Sequence, residues 1–110
     1  MKMMTMEELP GWLPPKHYDL LVRTVAGEAT GVKQFNVGFA RMEKSGRCDP
    51  HVHENVEQLF IVLKGAMMFT VDKEEFLVKQ GQAVLVYRGE VHSNYNAAQD
   101  GETEYLTVTG

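Results

Sequence analysis

Three histidines stand out in the 110-residue chain. His51 and His53 form an H-x-H pair in the stretch DPHVHENVEQLFIVLKG, from Asp49 to Gly65. On an extended strand alternate side chains share a face, so both imidazoles point the same way, about 6.6 Å apart along the backbone. That spacing lets two rings converge on one ion. A polar turn at Glu54-Asn55 follows, then Glu57-Gln58 and an apolar run from Leu59 to Leu63 that reads as a buried strand. An oxygen ligand at the start of that strand would face back across the turn to the histidines. The third histidine, His92, lies in GQAVLVYRGEVHSNYN, from Gly81 to Asn96. Here a short apolar strand, a tight turn at Arg88-Gly89-Glu90 and a returning strand would put His92, Asn94 and Asn96 on one face. Nitrogen, nitrogen and oxygen donors of this kind suit a divalent transition metal.

These elements resemble the cupin superfamily of small metal-binding β-barrels. The family's first motif is written G-x5-H-x-H-x(3,4)-E-x6-G and its second G-x5-P-x-G-x2-H-x3-N. This chain offers Gly46, His51, His53, Gln58 and Gly65, then Gly81, Tyr87, Gly89, His92 and Asn96. It departs from the pattern in three places. Four residues, not five, separate Gly46 from His51, and Tyr87 stands where proline is usual. The carboxylate position falls on Glu57 when counted from His53 and on Gln58 when counted from Gly65. Strand register favours Gln58, because the turn can absorb one residue and the strand cannot. The resemblance implies a metal held by His51, His53, Gln58 and His92, with Fe, Mn, Ni, Zn or Cu as the ion. It also implies a wide menu of activities, dioxygenase, isomerase and decarboxylase among them, and non-catalytic binders as well; fold does not choose among these.

The elements that must position these residues are short strands. His17 to Val25, Val32 to Met42, Arg47 to His53, Gln58 to Leu63, Ala66 to Val71, Phe76 to Val78, Ala83 to Val86, Val91 to Asn96 and Glu104 to Val108 read as strands. Turns are expected at Gly27–Gly31, Glu43–Gly46 and Asp72–Lys73, and a hairpin joins Gln58–Leu63 to Ala66–Val71 around Lys64-Gly65. So many short strands with regular turns indicate an all-β fold, an antiparallel jelly-roll barrel over residues 16–110. Residues 1–15, with Pro10, Pro14 and Pro15, cannot form a long helix and read as an extended arm carrying Trp12. Such an arm is explained if it packs on a second subunit, so a homodimer is expected.

Other residues are assigned by position. His17 is outside both motifs and reads as a surface histidine. Cys48 alternates with the histidines and should face away from them as a small packed thiol. Phe60 and Val62 share the face of Gln58 and would form apolar walls or barrel core. Arg41 is either a binder of a substrate carboxylate, if its strand turns it inward, or a solvated rim residue.

Composition bounds the rest. With 44% hydrophobic and 24% charged residues the chain is globular. Its net charge of −4 and pI of about 5.5 argue against nucleic acid as the main partner. A single cysteine excludes an internal disulfide and fits a reducing compartment. No apolar run approaches the ~20 residues of a membrane span, and the N-terminal stretch lacks a leader's apolar segment, so a cytoplasmic protein is expected. The functional expectation is a metal-dependent enzyme acting on a small polar organic molecule; the alternative is a non-catalytic binder of a metal or small ligand.

Overall fold

The computed structural model describes residues 1–110. After a 3-10 turn at Met6–Glu8 come nine strands: β1 (Gly11–Trp12), β2 (His17–Ala26), β3 (Asn36–His51), β4 (Gln58–Lys64), β5 (Ala66–Val71), β6 (Glu74–Lys79), β7 (Ala83–Val86), β8 (His92–Asn96) and β9 (Thr103–Thr109). Every pairing is antiparallel. The result is the expected all-β jelly-roll barrel.

Strand β3 organises it. Along one edge it pairs with β2. Along the other its first half, Asn36 to Met42, pairs with β9, and its end, from Arg47 to His51, pairs with β8. From that fork two sheets fan out, β9-β4-β7 and β8-β5-β6. Their inner faces meet in one apolar core. Met42, Val62, Met67 and Phe69 are fully buried, and Phe60 meets Phe69 edge to face at 4.9 Å.

Two expectations about connectivity are overturned. The turn expected at Glu43–Gly46 does not end the strand: β3 continues through it as a bulge, where the register against β2 shifts between Tyr18 and Leu20. Its polar residues Glu43 to Ser45 are exposed, so a polar run that reads as a loop is here a strand with its side chains in water. The hairpin expected between β4 and β5 is absent too: β4 pairs with β7 and β9, whereas β5 pairs with β6 and β8. Gly65 adopts φ +83°, and a Cβ there would collide with the Thr103 hydroxyl. That hydroxyl accepts the Ala66 N–H at 3.2 Å and lies 2.8 Å from Asn96 Oδ1, to which it donates. The chain therefore crosses from one sheet to the other instead of folding back. The hairpin at Asp72-Lys73 does form, with both residues at positive φ and β5 paired to β6.

The arm folds onto its own barrel. Gly11 and Trp12 pair with Arg23 and Val22 of β2, and Arg23 donates to the Leu9 carbonyl. Arg41 lies on the face of β3 opposite Ala40 and Met42 and holds Glu7 at 2.8 Å and Glu104 at 2.9 Å. No helix is long and apolar enough to cross a membrane.

Candidate metal centre

His51 closes β3 and sits directly across from His92, which opens β8. His53 follows two residues later, outside the strand, where its carbonyl accepts the Gly89 N–H at 2.9 Å. That bond ties the histidine pair to the turn before β8. The ring centroids are 4.2 Å apart for His51 and His92, 4.9 Å for His51 and His53, and 5.5 Å for His53 and His92. One nitrogen of each ring lies within 4.8 Å of the others. The H-x-H pair thus converges, although only its first member is on a strand.

Gln58, the first residue of β4, faces the same cavity as His51 and His53. Glu57 does not: its carboxylate pairs with Arg88 at 2.6 Å. Phe60 and Val62 continue the face of Gln58 into the core, and Phe60 lies 6.2 Å from His92.

The hydrogen bonds orient the rings. The Nδ1 atoms of His51 and His92 lie 3.0 Å and 3.1 Å from the carbonyls of Asp49 and Glu90. A carbonyl only accepts, so each Nδ1 carries the proton and each Nε2 keeps its lone pair. The Nε2 atoms of His53 and His92 and Oε1 of Gln58 are buried without any partner. Unpaired buried polar atoms are costly, and four in one place with Asn94 Oδ1 call for a partner. Three imidazole nitrogens and an amide oxygen fit a divalent transition ion.

Electrostatics act in the same direction. Burial pushes His92 down to about 4, and it lowers His53, with the nearby His51 adding to the effect. His92 therefore keeps its lone pair free to well below neutral pH.

Two residues lie where sequence reasoning did not put them. Cys48, expected to face away, has its Sγ 3.3 Å from His51 Nδ1 and lines the cavity. The register of β3 against β8 slips between Cys48 and His51, and that irregularity cancels the alternation of a regular strand. Burial pushes its thiol up to about 12, so it is a packed neutral thiol. His17, expected on the surface, is paired with Cys48 across the sheet, has its ring 5.9 Å from that of His51 and has its pKa lowered, chiefly by burial. Only the β2–β3 register brings it there, and nothing local in the sequence signals that. Arg41 is settled as an outer residue, away from the cavity wall. The cavity, about 450 Å³, has His17, His51, His53 and Gln58 in its wall together with Trp12, Phe60 and Asn94.

The cupin domain family matches residues 38–109, which hold β3 to β9 and all four of these side chains. The chain belongs to the cupin family. A beta-D-galactosidase of Mycobacterium tuberculosis is 26% identical over 109 residues, which is 98% of this chain and 93% of that protein. Among solved cupin-like structures, the polyketide cyclase RemF from Streptomyces resistomycificus superposes with a TM-score of 0.87 at 22% identity, over 99% of this chain and 78% of that one. A predicted oxalate decarboxylase from Thermotoga maritima gives 0.87 at 15% identity, over 98% and 97%. At these identities the structures speak for the fold alone, and their activities differ widely.

Proposed function

We propose that this cupin is a metal-dependent enzyme acting on a small polar organic molecule, with His51, His53, Gln58 and His92 holding a divalent transition metal. The observation that carries the reading is the set of unpartnered donors, His53 Nε2, His92 Nε2 and Gln58 Oε1; His53 and Gln58 line a cavity of about 450 Å³, and His92 packs against His51 of the same wall. That volume is within the range of small-molecule sites. Imidazole and amide ligands bring no formal charge, so a bound ion would keep its full charge to polarise a carbonyl or lower the pKa of a water. His17 lies on the same wall, outside the four-residue set, with its pKa lowered chiefly by burial. A neutral imidazole accepts a proton from a substrate, which favours isomerase-type chemistry over the dioxygenase and decarboxylase types.

Metal analysis of the purified protein, then a substrate screen on the metal-loaded form, tests this. A stoichiometric transition metal in the wild type, lost in His53→Ala, is the expected result; wild type and His53→Ala with the same metal content would overturn it. His17→Gln should keep the metal and lose turnover. The alternative, a non-catalytic binder, is supported by the lack of any carboxylate on the cavity wall. It predicts full metal content and ligand binding with no turnover. The homodimer expected from the arm is also a proposal, supported by the exposure of Met1, Met3 and Leu13; a monomer at high micromolar concentration by light scattering would overturn it.

A further inference from the structure

The cavity wall beyond the histidines has a distinct chemistry. Thr24 on β2, Asn36 on β3, and Thr107 and Thr109 on β9 line it together. They are strand neighbours, since Asn36 pairs with Thr109 and Gly38 pairs with both Thr24 and Thr107. Gly38 leaves the space between them open, because a Cβ there would press on Thr107 Oγ1 at 3.0 Å. The patch is a run of hydroxyls and an amide, all uncharged, each able both to donate and to accept. Asn94 Oδ1, 96% buried with its residue, is an acceptor without a donor on the same wall. A ligand hydroxyl would satisfy it; a carboxylate or phosphate oxygen, which has no proton to give, would not.

Anion recognition is also missing its usual tool. Planar guanidinium forks bind carboxylates and phosphates, and the chain has four arginines. Arg41 is held by Glu7 and Glu104, and Arg88 by Glu57. Arg23 donates to the Leu9 carbonyl, and Arg47 lies over the Tyr18 ring and beside Asp49. None of the four lines the cavity, where exposed Lys16 is the one cationic side chain apart from the histidines. The remaining feature is aromatic. Trp12, half exposed, brings an indole to the cavity from the arm. Its flat apolar face suits the C–H face of a ring, and its N–H suits a hydroxyl.

We infer that this cavity takes a neutral polyhydroxylated ring, a monosaccharide or cyclitol, stacked on Trp12 and bonded through Asn94 and the Thr24–Asn36–Thr107–Thr109 patch. The inference deepens the proposed function and rests on its placing the substrate in this cavity. Trp12 is the single tryptophan, so its emission reports on this wall alone. The metal-loaded and metal-free proteins are titrated with glucose, galactose and myo-inositol, and with glucuronate, galacturonate and the hexose 6-phosphates. A saturable change in emission with at least one neutral ring, tenfold or more weaker with its anionic counterpart, is expected. By calorimetry, Trp12→Ala and Thr107→Val should each weaken that binding tenfold or more at unchanged metal content. Equal or tighter binding of the anionic rings overturns the inference, as does the absence of binding by every neutral ring, or binding of simple phenols in their place. A protein that binds neutral rings but carries no metal would sink the metal reading and leave this one standing; a metal-loaded protein that prefers the anions would do the reverse.

Discussion

Strand β4 carries Val62 and Gln58 on the same face, four residues apart, and their surroundings could hardly differ more. Around Val62 lie Met42, Met67, Phe69 and Tyr105, all within 2% of full burial. The polar groups near that end are paired: Thr103 binds Ala66 and Asn96, and Asn96 donates to the Glu43 carbonyl at 2.8 Å. Around Gln58 lie His53, His92 and Asn94, and each has a buried polar atom with no partner. One barrel thus has an end that is satisfied and an end that is not. A chain that buried unpaired donors without use would lose stability for nothing. The contrast fits stability carried by the Val62 end and the ligand binding proposed for the Gln58 end.

The sharpest way to break that assignment is to remove bulk from the apolar end. Phe69 is fully buried and meets Phe60 edge to face. Phe69→Ala should cost about 3–5 kcal/mol of stability, from lost transfer energy and the cavity left behind. Metal content per folded molecule should not change. Chemical denaturation and metal analysis on the same sample check this; a variant as stable as the wild type would mean that the core is elsewhere.

The mirror experiment acts on the histidine end. His53 is only partly buried and follows β3 in a loop, so His53→Ala should leave the barrel folded. Metal affinity should fall about 100-fold or more, roughly 2.7 kcal/mol. His51→Ala and His92→Ala should act alike. Any one of the three that keeps full affinity leaves the ligand set.

The two ends should also differ in pH response. His92 has its pKa pushed from 6.5 to about 4, chiefly by burial. Below 6.5 the unfolded chain takes up a proton there that the folded chain refuses. Stability is therefore full above pH 6.5 and is lost as pH falls toward 4. Between pH 7 and 5 the metal-free protein should lose roughly 2 kcal/mol through this one group. His92→Gln should flatten that slope, and an unchanged slope would show that other groups govern it. Metal affinity should hold over that range and fall only as pH nears 4, where protons begin to compete for the His92 lone pair.

How far the sequence reveals these ends follows from the range of the interactions. Strands bounded by glycines and tight turns, such as Ala66–Val71 and Ala83–Val86, are legible to the residue, because local backbone preferences end them. Strand partners are not legible. The supposed hairpin of β4 with β5 satisfies every local rule, and only the packing of two sheets excludes it. Cys48 faces the histidines, against simple alternation, because the register slip before His51 has no sequence signature. His17 reaches the cavity through a pairing 31 residues away.

The smallest effects separate Gln58 from Glu57. The two are adjacent, and a regular strand turns them to opposite faces. Gln58 lines the cavity with its Oε1 unpartnered, whereas Glu57 meets Arg88 in an ion pair whose partners are both about half exposed. Gln58→Ala should weaken metal binding about tenfold, roughly 1.4 kcal/mol. Gln58→Glu should tighten it, because a carboxylate adds charge to the ion's shell, and should raise the pKa of a bound water. Glu57→Ala should change metal affinity less than twofold and stability by under about 0.5 kcal/mol, the usual scale of an exposed ion pair. Metal affinities of the three variants, measured side by side, test the order. A tenfold loss in Glu57→Ala with none in Gln58→Ala would put a carboxylate among the ligands, and β4 would then have to sit one residue out of the register seen here.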